Sequence, residues 1–257
     1  MESLNNLPLP LFDNLSPAEM ARYDKQLRLP DWGLASQKKL KAATVFLAGA
    51  DGLVSSAALN LVAAGLGHLR LVDAHRVALP DLCDHGVYRE KDLNKYRAMI
   101  MGQRLREANP FVEVEASERK VCDQNALKLI QGVDLILADL RDGRTASVLN
   151  RAAIKSKKPL VLAWTQGMRG YVATLKPGQG LCLECTALKA NNHGKPALMG
   201  PMSSILGGVM ALEAMRLLAG LGPALLERLF GFDGDLCLCL EEPIRKNKDC
   251  SLCSPKS

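Results

Sequence analysis

Two Cys-x-x-Cys pairs, Cys182-Leu-Glu-Cys185 and Cys250-Ser-Leu-Cys253, constrain this chain more than any other feature. The two-residue gap lets both thiolates of a pair reach one ion, and four soft charged ligands complete a tetrahedral zinc shell. The pairs stand far apart in sequence, so a shared ion would clip the tail back onto the body. Cys182, Cys185, Cys250 and Cys253 are therefore the expected ligands of a structural zinc. Plain structural or disulfide cysteines are the alternative.

At 257 residues with 48% apolar content, one large domain with a real core is expected. The net charge of +6 is dispersed, and its densest run, residues 244–248, abuts the second pair. Aromatics make up only 4%, too few stacking platforms for a nucleic-acid surface, so no such partner is expected. The start lacks a basic-then-apolar leader, and no apolar run reads as a membrane span. A cytoplasmic location follows, where reduced thiols favour metal over disulfides. Cys237 and Cys239 alternate with leucines and read as one strand face; Cys83 and Cys122 read as packing.

Residues 1–15 are rich in Pro and Asn and read as a loose tail. Ser16-Pro17-Ala18-Glu19 is a capping box with Pro at the first helical position. It opens an N-terminal helical arm over residues 16–41. The nucleotide-binding-type core spans 42–165. It begins with a buried strand, Thr44–Ala48, a turn Gly49-Ala50-Asp51-Gly52, a helix over 55–64 and a strand ending in Val72-Asp73. Strand, Gly-turn, helix and strand with a terminal acid is a right-handed βαβ unit. Further alternation predicts helices near 94–109, 124–130 and 144–156, with strands near 112–116, 134–138 and 159–163. The fold class is α/β: a Rossmann-like, mostly parallel sheet with helices on both faces. An extension over 166–257 carries a strand at 170–175, a crossover loop at 190–199, an apolar helix at 203–218, a strand at 236–240 and the zinc clip. All of this reads as a single domain.

The order of the pieces is specific. Arg22-Tyr23-Asp24-Lys25-Gln26 precedes the Gly turn; Ala64-Gly65-Leu66-Gly67, Val72-Asp73, Ala108-Asn109-Pro110 and Arg169-Gly170-Tyr171 follow; the two cysteine pairs and Ala211-Leu212-Glu213-Ala214 complete the set. Together they resemble the ThiF/MoeB/HesA superfamily, the activating enzymes of ubiquitin and of bacterial sulfur carriers, from about residue 20 to 254. The resemblance implies a dimer that binds ATP and magnesium and adenylates the C-terminal Gly-Gly carboxylate of a small ubiquitin-fold carrier. It also implies that the apolar helix forms the dimer. Gly49, Gly52 and Asp73 fall at nucleotide-binding positions, Asp73 toward a ribose hydroxyl. Lys25, with Arg22 one turn back, matches the arginine lent to a partner's ATP, and Arg97 matches a phosphate-holding lysine.

The same carry-over exposes departures. Where the family turn is Gly-x-Gly-Gly-x-Gly, this chain has Gly49, Asp51, Gly52 and Val54. A carboxylate at Asp51 repels an anion at a helix N-terminus, although Asp51 also suits a helix cap. His75 replaces an acid. Asp81 and Asp84 fall where the family has an Asn and an arginine finger, which inverts the charge needed for phosphoryl chemistry. The magnesium-binding acid aligns with Arg141 without a gap, with Asp142 after a one-residue slip and with Asp139 after two. The crossover loop holds no cysteine, so a thioester route through it is absent. Two readings follow: an adenylating enzyme, or a zinc-stabilised, catalytically inactive scaffold paired with an active paralogue. An NAD-linked enzyme is disfavoured, because Gly-Ala-Asp-Gly is a poor pyrophosphate cradle.

Overall fold

Alternating side chains of one buried strand divide this molecule into two cores. In the computed structural model, residues 15–83, 87–178, 181–186, 199–244, 247, 250, 252 and 253 are described. The first strand, β1 (Thr44–Ala48), sends Val45 and Leu47 to one face and Phe46 and Ala48 to the other. Both faces are apolar because helices cover both, as a parallel sheet requires. The sheet has eight strands in the order β3-β2-β1-β4-β5-β6-β7-β8. Here β2 is His68–Val72, β3 Glu113–Ser117, β4 Leu135–Asp139 and β5 Leu160–Gln166. These pair in parallel. The strands β6 (Arg169–Leu175), β7 (Arg228–Asp233) and β8 (Leu238–Pro243) continue the sheet antiparallel.

The expected capping box is present. Ser16 and Glu19 satisfy each other's backbone N–H at the start of α1 (Pro17–Arg22), and α2 (Asp24–Leu27) and α3 (Gly33–Ala42) complete the arm. The arm is keyed to the body by the motif residues themselves. The Tyr23 ring stacks closely on Gly65, and the Gln26 side chain donates to the Ala64 carbonyl at 2.7 Å. Arg22 donates to the Ala108 carbonyl.

One face carries α3, α4 (Gly52–Ala63), α5 (Arg97–Ala108) and, two helices later, α8 (Gly200–Ala219). The other carries α6 (Ala126–Leu129) and α7 (Gly143–Ser156), together with the first cysteine pair. α8 lies against α4, where Gly207 permits close approach to Ser56. By length and composition α8 is apolar enough to cross a bilayer, contrary to the expectation from sequence. It carries buried Glu213, which accepts from Thr174 Oγ1 at 2.8 Å and from the N–H groups of Ala224 and Leu225, each at 2.9 Å. A carboxylate held this way belongs to a protein core.

β7 was not expected, and the turn before β8 extends two residues further than the sequence reading placed it. Two short 3-10 helices, Leu79–Cys83 and Glu90–Asp92, also went unread. The loose tail and the crossover loop, except Leu15 and Met199, lie outside the described residues.

Candidate functional site

Strand order reverses at β1: β2 and β3 lie on one side, β4 and β5 on the other. Ligands of open α/β sheets bind at the carboxyl ends of the strands flanking such a point. Here that crevice is bounded by Gly49–Gly52 after β1 and Asp139–Asp142 after β4. Gly49 is left-handed at φ +103°, and Asp51 occupies the N-cap of α4. The expected cap is not made: the Asp51 side chain forms no capping hydrogen bond. Its Oδ2 faces Arg141 Nη2 at 3.3 Å instead, drawn by the opposite charge.

Arg141 also holds Asp139. The backbone N–H of Arg141 donates to Asp139 Oδ1 at 2.7 Å and its Nε to Oδ2 at 2.6 Å. Asp139 is only 5% exposed and Arg141 14%. Burial first, and the Asp51 charge second, raise Asp139 above the ordinary carboxylate range; Arg141 offsets part of that cost. Asp142 stands apart from this pair. Its Oδ1 accepts from the Thr145 N–H at 3.1 Å, which makes it the cap of α7.

Asp73 is buried and already engaged. One oxygen accepts from the Ala50 N–H at 2.8 Å; the other accepts from His75 N and faces His75 Nδ1. The acid thus fixes the Gly turn from below. Arg97 is neutralised by a two-pronged bond to Asp81, Nε to Oδ2 at 2.9 Å and Nη2 to Oδ1 at 2.7 Å. Asp84 lies outside the described residues. Lys25 is exposed on α2, with no hydrogen bond or ion pair among the described residues. Tyr88, absent from any motif, donates its hydroxyl to the Ala50 carbonyl, and burial pushes that hydroxyl up. No sequence signal marked it.

The four paired cysteines do converge. Their sulfurs all lie within 4.8 Å of one another, with Cys182 to Cys250 at 3.7 Å and Cys185 to Cys253 at 3.6 Å. Zinc–sulfur bonds of about 2.3 Å in a tetrahedron place sulfurs about 3.8 Å apart, so the donor set fits such an ion. The first pair sits in a tight turn, anchored by Leu183 N–H donating to Asn150 Oδ1 of α7 at 3.0 Å. Asn247 N–H donates to the Cys185 carbonyl, which brings the tail in. Burial raises the Cys182 thiol to about 11, and burial with the neighbouring thiols raises Cys253. As thiolates, four sulfurs at this spacing would need a cation between them. Of the other cysteines, Cys83 and Cys237 depart from expectation, while Cys239 lies on β8 and Cys122 is half-buried. Cys83, Cys237 and Cys239 are exposed, and Cys237 is left-handed in the β7–β8 turn rather than on a strand face.

A model of the ThiF family matches residues 23–252. The chain is 31% identical over 242 residues to the heterocyst HesA protein of Trichormus variabilis, covering 93% of this chain and 91% of that one. It is 31% identical over 246 residues to a sulfur carrier protein adenylyltransferase of Thermus thermophilus, covering 91% of each. It is 33% identical over 247 residues to the adenylyltransferase and sulfurtransferase MOCS3 of Drosophila sechellia, covering 93% of this chain and 54% of that longer protein. The crystal structure of E. coli MccB with MccA-N7isoASN aligns with a TM-score of 0.82 at 18% identity, over 96% of this chain and 77% of that one. At that identity the likeness is one of fold.

Proposed function

Because the chain belongs to the ThiF family, whose model spans residues 23–252, we propose that it binds a small ubiquitin-fold carrier ending in Gly-Gly. In this reading it serves adenylation of that carboxylate as a binding subunit, not as the subunit that transfers the nucleotide. One observation carries the reading: two guanidinium groups at the crevice, those of Arg97 and Arg141, are already spent on carboxylates. Arg97 is held by Asp81, and Arg141 by Asp51 and Asp139. Nucleotidyl transfer depends on cations free to meet developing phosphate charge. Magnesium–ATP does not fit these residues, and no step is assigned to it on this chain.

Cys182, Cys185, Cys250 and Cys253 would hold zinc, which supplies folding energy and no chemistry at the crevice. A reducing cytoplasm suits such thiols. A groove of about 420 Å³ between Gln26, Asn60, Gly208, Leu212 and Met215 leaves Leu212 61% exposed on α8. We assign this face to a second subunit, either another copy or an active paralogue.

A second reading has its own support. Lys25 is exposed and makes no side-chain hydrogen bond or ion pair among the described residues, which suits the arm to lend a cation to a nucleotide held by the partner. The deciding measurement is carrier-dependent ATP–pyrophosphate exchange with the zinc-loaded protein. Carrier binding by calorimetry without exchange, and exchange on adding a paralogue with an intact Gly turn and arginine finger, is the expected result. Robust exchange by this chain alone would overturn it.

A further inference from the structure

We propose that Arg141 is the resident counter-ion of the crevice, its guanidinium bridging Asp51 and Asp139 in the place of a divalent cation. The inference deepens the reading above, on which it rests only for the location of the crevice. Three features support it. First, the bridge joins two rigid strand ends. Asp139 closes β4, Arg141 follows two residues later, and Asp51 follows β1, the strand paired to β4. Second, the bridge is enclosed. With Asp139 at 5% and Arg141 at 14% exposure, solvent screens that pair far less than a surface ion pair, while Asp51, at 33%, closes the bridge from the solvent side.

Third, one guanidinium serves two acids and leaves them under-neutralised. Asp51 Oδ1 is buried and accepts no hydrogen bond among the described residues. Oxygen ligands converging on one point, with an acceptor left open, are what a hard cation takes. An ordinary helix-capping role for Asp51 would leave none of this, and that capping bond is missing. The crevice is therefore closed to a metal-bound triphosphate by its own side chain. Removing that side chain should turn a self-neutralised pocket into an open cation site.

The test uses the full-length, zinc-loaded protein with Mn2+ as the probe, read by electron paramagnetic resonance without nucleotide or carrier. Arg141→Ala should bind Mn2+ about 100-fold more tightly than wild type, because an enclosed positive charge is gone. Arg141→Lys, which keeps the charge, should stay as blind as wild type. Adding Asp51→Asn to Arg141→Ala should abolish the gain. If Arg141→Ala folds only with millimolar Mn2+ present, the proposal is supported; if the ion fails to rescue it, the proposal falls. Equal Mn2+ affinity in wild type and Arg141→Ala also overturns it. Carrier binding is measured separately. Loss of carrier recognition with a positive Mn2+ result sinks the functional reading alone, and the reverse pattern sinks this one alone.

Discussion

Asn109 Nδ2 donates to the Tyr23 hydroxyl at 2.9 Å, while the same amide group reaches the Val62 carbonyl at 2.7 Å. One buried side chain thereby ties the N-terminal arm to the end of α4. Asn109→Ala strands two buried acceptors and should cost about 2 kcal/mol or more in urea unfolding. Tyr23→Phe removes one partner of a single bond and should cost about 1 kcal/mol. Equal, negligible losses in both variants would show that the arm is not held this way.

Gly67 is fixed by space. A Cβ there would come within 1.7 Å of the Lys41 carbonyl oxygen, and backbone cannot yield as a side chain does. Its N–H also donates to the Leu40 carbonyl, and its carbonyl accepts from Glu113 N–H at 2.9 Å. Gly67→Ala should therefore destabilise by about 3 kcal/mol or more. Thermal unfolding monitored by circular dichroism checks it; a wild-type midpoint contradicts it.

Local pattern carried the parallel half of the fold. β1 runs over Thr44–Ala48 as read, because an uninterrupted apolar run beside a Gly turn has few other solutions. β7 was hidden because Gly231 interrupts its run and because only alternate residues, Leu229, Gly231 and Asp233, are buried. The motif residues Tyr23, Gly65 and Asn109 were legible as a resemblance, yet their meeting in space needed coordinates. The four cysteines that converge were legible as a cluster from spacing alone. The charge pairings were not: Asp81 and Arg141 stood out in sequence as substitutions, and nothing there said that each had a partner of opposite sign. Asp51 read as a cap because position favoured one, and a charge from another strand end overrode it.

Loss of one thiol should undo the cysteine cluster. Cys185→Ser or Cys253→Ser should reduce bound zinc from one ion per chain to none, read by metal analysis. Unfolding stability should fall on the order of 3 kcal/mol. Excess chelator should have the same effect on wild type. Unchanged stability with no metal would remove the site.

Asp139 makes stability depend on pH. Its folded value rises to about 7 from the ordinary 3.8. Below 3.8 both states hold the proton and no cost appears. Between the two values only the folded state keeps it, so its contribution declines as pH rises and is fully lost above about 7. Asp139→Asn lacks this slope. From pH 4 to 7 the stability difference should therefore move toward the variant by on the order of 3 kcal/mol, measured by urea titration at each pH. A pH-independent difference would reject it.

Asp81→Ala should release Arg97. Freed of its two-pronged partner, the guanidinium can meet an anion, and tripolyphosphate affinity should rise about ten-fold by calorimetry. No gain would mean that Arg97 does not face the crevice.

Between Cys185 and Cys250 the chain travels through α8, β7 and β8 before returning to the same four sulfurs. A coordinated ion would make that excursion a closed ring, with the sheet's outer edge threaded on it. Nutrient metal supply would then govern how long the polypeptide withstands proteases: starvation would unfasten the β7–β8 margin first and leave β1 to β5 standing.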